Sequence, residues 1–122
     1  MRGDASRGRA AHASGLRAEA WAALLLQLKG YRIIARRMKT RVGEIDLVAR
    51  RGKLIVFVEV KARADMAAAA DALLMRQRAR LVRAAALFIS TRPALAGHDM
   101  RFDVVLVAPR SFPRHLPDAW RP

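Results

Sequence analysis

The chain has 122 residues, enough for one domain that buries a core without disulfides or a structural metal. It has no cysteine, which excludes a disulfide framework, thiolate zinc sites and thiol catalysis, and fits a reducing cytoplasm. Lys and Arg number 24 against 10 Asp and Glu, a net charge of +14 that attracts polyanions, nucleic acid first and an anionic membrane surface second. Part of that charge is compositional habit, since Arg outnumbers Lys and Ala is abundant, as in proteins from GC-rich genomes.

Residues 1–13, rich in Arg, Gly, Ala and Ser, read as a mobile basic arm, and 14–122 as a single domain. Residues 14–29 read as a helix. Ser14 is its N-cap, Leu16, Ala20, Ala23, Leu24, Gln27 and Leu28 recur at helical spacing, and Gly30 ends it. The apolar stretch from Trp21 to Leu28 is too short for a membrane span of roughly 18 residues. Glu19 just before it and the absence of a small-residue cleavage site argue against a signal peptide, so no membrane association is expected. Tyr31–Arg37 reads as a strand, 38–43 as a basic turn, Glu44–Arg50 as a second strand and Leu54–Arg63 as a third, the last two joined by a polar turn at Gly52. Alternation places Ile45 with Leu47 on one face of the second strand, and Glu44, Asp46 and Val48 on the other. Residues 66–90 read as a long helix with Leu74, Leu81, Ala85 and Phe88 inward. A loop follows from Arg92 to Met100, then a fourth strand, Arg101–Ala108, and a tail with four prolines and no period. The order is helix, three strands, helix, strand: an α/β domain with a mixed sheet flanked by helices.

Two acids lie where acids are costly. Asp46 is between Ile45 and Leu47, and Glu59 is between Val58 and Val60 in the most apolar strand. A buried carboxylate must be paired, protonated or metal-bound. Lys61 follows Glu59 by two, which puts both on one face about 7 Å apart, together with Phe57. If the second and third strands pair, two carboxylates and an ammonium converge. Hard oxygens of this kind suit Mg²⁺ or Mn²⁺, which polarises a phosphodiester and activates water. The bland alternative is a buried salt bridge of Lys61 with Glu59 or Asp46.

The segments Gly43-Glu44-Ile45-Asp46-Leu47-Val48 and Val56-Phe57-Val58-Glu59-Val60-Lys61-Ala62-Arg63 resemble the YraN family of small bacterial proteins, predicted endonucleases distantly similar to archaeal Holliday-junction resolvases. The resemblance extends to Gly30-Tyr31, Arg101-Phe102-Asp103-Val104-Val105 and Pro117-Asp118-Ala119-Trp120. It implies a restriction-endonuclease-like fold with a PD-(D/E)xK site, in which Asp46, Glu59 and the carbonyl of Val60 hold the metal and Lys61 attends the water. It places the family's first-helix glutamate at Glu19, as a further ligand, and its second-helix glutamine at Gln77, in the catalytic set. The chain departs from the family in having Arg37 where many members have Asn, and it has Ile45 rather than proline before Asp46.

By spacing alone, Gln77 lies on the inward stripe of the long helix and needs a partner. Glu19 is equally readable as a ligand or as a surface acid. Arg36, Arg37, Lys39 and Arg41 in the basic turn, Arg63, and Arg76, Arg78, Arg80 and Arg83 on the long helix are candidates to hold phosphates or to form a solvated face. Asp103 reads as structural, Glu44 as a solvated acid, and His12, His98 and His115 as bystanders. With few aromatics, single-strand stacking is not expected to dominate. The expected partner is nucleic acid, DNA first and branched DNA included. A homodimer is expected because cutting two strands with one small site needs two copies.

Overall fold

Helix α1 occupies residues 17–28 of a computed structural model that describes residues 17–64 and, apart from the side chains of 75–77, 75–121. The basic arm, Ser14, Leu16 and Leu74 lie outside the described residues. The buried stripe of α1 is Ala18, Ala22, Ala23 and Leu26, mostly alanine, so the helix lies close on the sheet. Leu24 and Leu28, expected inward, are exposed. Almost every side chain of this helix is apolar, so spacing alone does not single out the buried face. The end is as expected: Gly30, at φ +92°, donates its N–H to the Gln27 carbonyl, and Tyr31 donates to Leu26, closing the helix in the Schellman manner.

Strands β1 (Arg32–Thr40), β2 (Gly43–Arg51) and β3 (Leu54–Ala62) form an antiparallel meander with two-residue turns. The first turn is tighter than the basic turn expected over 38–43. The Thr40 hydroxyl oxygen accepts from the N–H groups of Val42 and Gly43, so pairing continues to Thr40↔Gly43. Helix α2 (Met75–Ser90) and a short 3₁₀ turn (Pro93–Leu95) then lead to β4 (Asp99–Val107), which pairs in parallel with the whole of β3, from Leu54↔Asp99 to Ala62↔Val107. The sheet order is β1-β2-β3-β4-β5. Ala22, Ala23 and Leu26 of α1 pack on Leu47, Val56, Val58 and Val105, while Leu81, Ala85 and Phe88 of α2 pack on Phe57, Phe102 and Leu106 across the sheet. The result is an α/β architecture of the restriction-endonuclease-like kind. Among the described residues no helix is long and apolar enough to cross a membrane.

The fifth strand, β5 (Arg114–Trp120), lies in the segment read as an unperiodic tail. Pro113 and Pro117 conceal it in the sequence, yet proline is tolerated on an edge strand because no outer neighbour needs its missing N–H. Asp103 of β4 fixes this edge. Its carboxylate is wholly buried, accepts from Arg101 at 2.8 and 2.7 Å, from the Asp118 N–H at 2.9 Å, and is 2.6 Å from His115 Nε2. His115 Nδ1 lies 2.6 Å from the Lys29 ammonium, which can only donate, so Nε2 carries the proton given to Asp103. His115 is therefore not a loop bystander: it sits in β5, its side chain 3% exposed, and ties β5 and the end of α1 to β4. Burial alone would raise the Asp103 carboxyl, but Arg101, His115 and the Asp118 N–H hold it down to about 2. Its contribution to stability is thus whole above its ordinary value of 3.8 and lost as pH falls through 2. Asp103→Ala is expected to lower the unfolding free energy at pH 7 by about 3–5 kcal/mol, the cost of stranding one partner of a buried pair. Urea titrations at neutral and acid pH check this, the gap to the wild-type protein narrowing below pH 3.8.

Candidate metal and nucleic-acid site

The β2–β3 ladder runs from Arg51↔Leu54 to Leu47↔Val58 and stops. Asp46 and Glu59 would be the next opposed pair, but the strands part there, and Asp46 Oδ2 accepts the N–H of Val60 at 2.8 Å. The sheet also reverses its faces at this point. Ile45 and Val48 pack on the α2 side, whereas Leu47 and Ala49 pack on the α1 side, so Ile45 and Leu47 do not share a face as alternation predicted. β1 reverses in step: Ala35 and Met38 both meet the α2-side core, and between them Arg37 has φ +50°. That left-handed conformation is uncommon for a residue other than glycine or asparagine.

The parting strands gather the acids. Lys61 Nζ lies 2.9 Å from Glu59 Oε1, with the lysine buried and the glutamate side chain only 14% exposed. Helix α1 brings Glu19, also 14% exposed, which Arg37 Nε approaches to 3.4 Å, while Glu44, more exposed, lies 3.6 Å from the same nitrogen. The Asp46 carboxyl is raised to about 8 by burial and by the charge of Glu59, with Glu19 adding to the effect and the Val60 N–H opposing it. A side-chain hydrogen bond to Glu59 also favours the protonated Asp46 carboxyl. Glu19 is thus an electrostatic member of the cluster rather than a remote surface acid.

These residues fit a hard divalent cation. Among the described residues no three His, Cys, Asp or Glu side chains form a ready metal cage. The donor set is two touching carboxylates and the carbonyl of Val60, with water completing the shell, and Mg²⁺ is usually bound with several waters retained. Burial and the crowding of like charge, which favour the protonated Asp46, are the demand a cation relieves.

The basic candidates are more scattered. Arg36, Lys39, Arg41 and Arg63 are exposed, while Arg37 is engaged by two acids. Arg41 shares a groove of about 410 Å³ with Arg83 and Leu87, so the basic turn and α2 meet on one surface. Arg78 is half-buried, its guanidinium 5.8 Å from the Trp120 ring. Arg76 and Gln77 are in the first turn of α2, and their side chains lie outside the described residues. Two aromatics passed over in the sequence, Trp21 and Phe112, stand exposed. An aromatic within a Pro-rich tail was the one available signal for Phe112.

Residues 18–107 match the family described as "Uncharacterised protein family UPF0102", the YraN family. The chain belongs to this family. The UPF0102 span takes in Glu19, Asp46, Glu59, Lys61 and Gln77 and ends with β4, leaving β5 outside. The chain is 60% identical to a UPF0102 protein of Parvibaculum lavamentivorans over 99% of its own length and 91% of the relative's. It is 55% identical to one of Methylorubrum extorquens, over 94% and 90%, and 54% identical to one of Paramagnetospirillum magneticum, over 92% and 90%.

The raised Asp46 carboxyl sets a pH dependence of stability. A group raised from 3.8 to about 8 contributes fully below 3.8, and its contribution is lost as pH rises through 8. In chelator, the melting temperature of the wild-type protein is expected to fall more between pH 5 and pH 9 than that of Asp46→Asn, whose amide keeps the Val60 bond and does not titrate. Parallel melting curves for the two proteins would remove the charge crowding.

Proposed function

We propose that this protein is a metal-dependent endonuclease that hydrolyses phosphodiester bonds of nucleic acid, DNA before RNA and branched DNA included. The observation that carries the reading is the contact of Asp46 with Glu59 where β2 parts from β3, with the Lys61 ammonium 2.9 Å from Glu59. UPF0102 membership and the restriction-endonuclease-like architecture support it, and fold alone would not suffice.

Asp46, Glu59 and the Val60 carbonyl would hold Mg²⁺ or Mn²⁺, with Glu19 as a further acid. When bound, the ion supplies a Lewis acid for phosphate oxygens and a water of lowered pKa. The chain's own residues do the rest. The Val60 N–H fixes one Asp46 oxygen, so the carboxylate is oriented before substrate arrives. Lys61 offers an ammonium that orients the water or offsets charge developing on the phosphate. Gln77 belongs to the catalytic set in this reading. Arg36, Lys39, Arg41, Arg63, Arg76 and Arg78 hold phosphates without reading sequence. Two copies acting together would cut both strands of a duplex, and the protein would work in the cytoplasm.

One observation favours a second reading. The Lys61–Glu59 ion pair and the proton on Asp46 leave the cluster close to neutral without any cation. A nucleic-acid-binding module with a structural ion-pair network would look the same.

Cleavage of a panel of supercoiled plasmid, single strands, flaps, four-way junctions and RNA, in Mg²⁺ and in Mn²⁺, separates the two. Cutting is expected to require metal and to disappear in Lys61→Ala and Asp46→Asn, with binding in chelator changed less than about threefold. Metal should also raise the melting temperature of the wild-type protein, because a ligand of the folded state stabilises it. No cutting of any substrate, with no metal-dependent stabilisation, would leave the binding module.

A further inference from the structure

Past the acid cluster, the α1 side of the sheet opens into a cleft of about 970 Å³. Its floor includes Val60 and Ala62 at the end of β3. One wall is α1, with Arg17 and Trp21, and the other is the loop after β4, with Arg110 and Phe112. Arg63 also lines it. Trp21 is 56% exposed and Phe112 is 95% exposed, so folding leaves both rings largely in water. Among the described residues, no carboxylate forms an ion pair with Arg17, Arg63 or Arg110. Arg110 has φ +61° in a turn closed by Ser111 N–H to the Ala108 carbonyl. Glycine would take that conformation with less strain, yet the position carries a guanidinium on the cleft wall.

The lining combines two flat apolar faces, an apolar floor and three cations that have no ion pair among the described residues. A single-stranded nucleic acid has the matching pattern, an accessible ring face on each unit and a phosphate between units. A duplex does not, since its base faces are stacked on one another. An apolar peptide or a second copy of this chain would satisfy the rings but bring no anion to the three guanidinium groups. A membrane would meet charge and rings on a projecting surface rather than in a concavity.

The cleft and the acids are adjacent. Along β3, Glu59 and Lys61 alternate with Val60 and Ala62, and in α1 Glu19 lies between Ala18 and Trp21. The parting of β2 from β3 joins the two sides of the sheet, because Asp46 reaches the Val60 backbone through it and feels Glu19 of α1.

We propose that this cleft is a stacking subsite for an unpaired nucleotide, Trp21 and Phe112 receiving bases and Arg17, Arg63 and Arg110 the flanking phosphates, so that the protein selects nucleic acid with a single-stranded segment. This deepens the nuclease reading and rests on it only for the claim that the captured strand is the one cut. It departs from the expectation from composition that stacking would not dominate, since few aromatics suffice when two line one cleft.

The test is binding in chelator at fixed salt, by fluorescence anisotropy, of a thymidine oligonucleotide about 12 nucleotides long, within the site sizes of such grooves, and of a blunt duplex. Trp21→Ala and Phe112→Ala are each expected to weaken single-strand binding roughly five- to hundredfold, the loss expected for one base–aromatic stack, and duplex binding less than about twofold. Trp21→Phe, which keeps a ring, should retain most of the affinity, and melting curves should show all variants folded. In the wild-type protein the oligonucleotide should quench tryptophan emission, an effect absent in Trp21→Phe. Equal losses on both nucleic acids, or none, would overturn the proposal. So would light scattering in which Phe112→Ala splits a dimer, or Phe112-dependent pelleting with anionic vesicles but no oligonucleotide binding. Single-strand preference without metal-dependent cutting sustains the subsite and removes the nuclease; cutting without that preference does the reverse.

Discussion

Where two paired strands separate, each loses the partner for its inward backbone groups, and a buried N–H without an acceptor costs as much as a lost hydrogen bond. At the fork of β2 and β3 the N–H of Val60 is answered by the Asp46 carboxylate. Much of the neighbourhood follows from this bond. It carries an acid into the interior, next to Glu59, whose own charge is met by Lys61. It coincides with the reversal of faces in β1 and β2, which the left-handed Arg37 makes possible. It brings the strand fork under the first described turn of α1, where Glu19 is held by Arg37.

Asp46 and Asp103 make an instructive contrast within one sheet. Both are aspartates within apolar strands, and burial pushes both carboxyl groups up. Asp103 meets Arg101, His115 and a backbone N–H, and ends near 2. Asp46 meets two other carboxylates and a single N–H, and ends near 8. The first arrangement is self-sufficient and serves to attach an edge strand. The second carries a strongly perturbed carboxyl, and perturbations of that kind cluster at functional sites.

Much of this was legible in the chain. Gly30 announced the end of α1, two polar turns marked the meander, and Glu59-Val60-Lys61 in an apolar run announced its own cost. What was not legible depended on tertiary context. The buried side of α1 could not be chosen because alanine and leucine surround the helix. The split of Ile45 from Leu47 needed the kink at Arg37, and a positive φ leaves no mark in an Arg codon. β5 was hidden by prolines that only an edge tolerates, and with it the role of His115, which depends on Asp103, twelve residues earlier in sequence. Trp21 and Phe112 lie far apart in the chain and acquire a common purpose only when α1 and the loop after β4 face each other.

The parallel pairing of β3 with β4 has a consequence during synthesis. β1, β2 and β3 emerge first and can form local hairpins, but the outer edge of β3 stays bare until α2 and β4 have followed. That edge begins Leu54-Ile55-Val56-Phe57-Val58, an uncharged, β-prone run of the kind that recruits strands from other molecules. Glu59 and Lys61 close the run with charge, in the position where gatekeeper residues guard unavoidable apolar strands. The two side chains placed at the candidate site therefore put charge at the end of the bare edge before there is a site to serve.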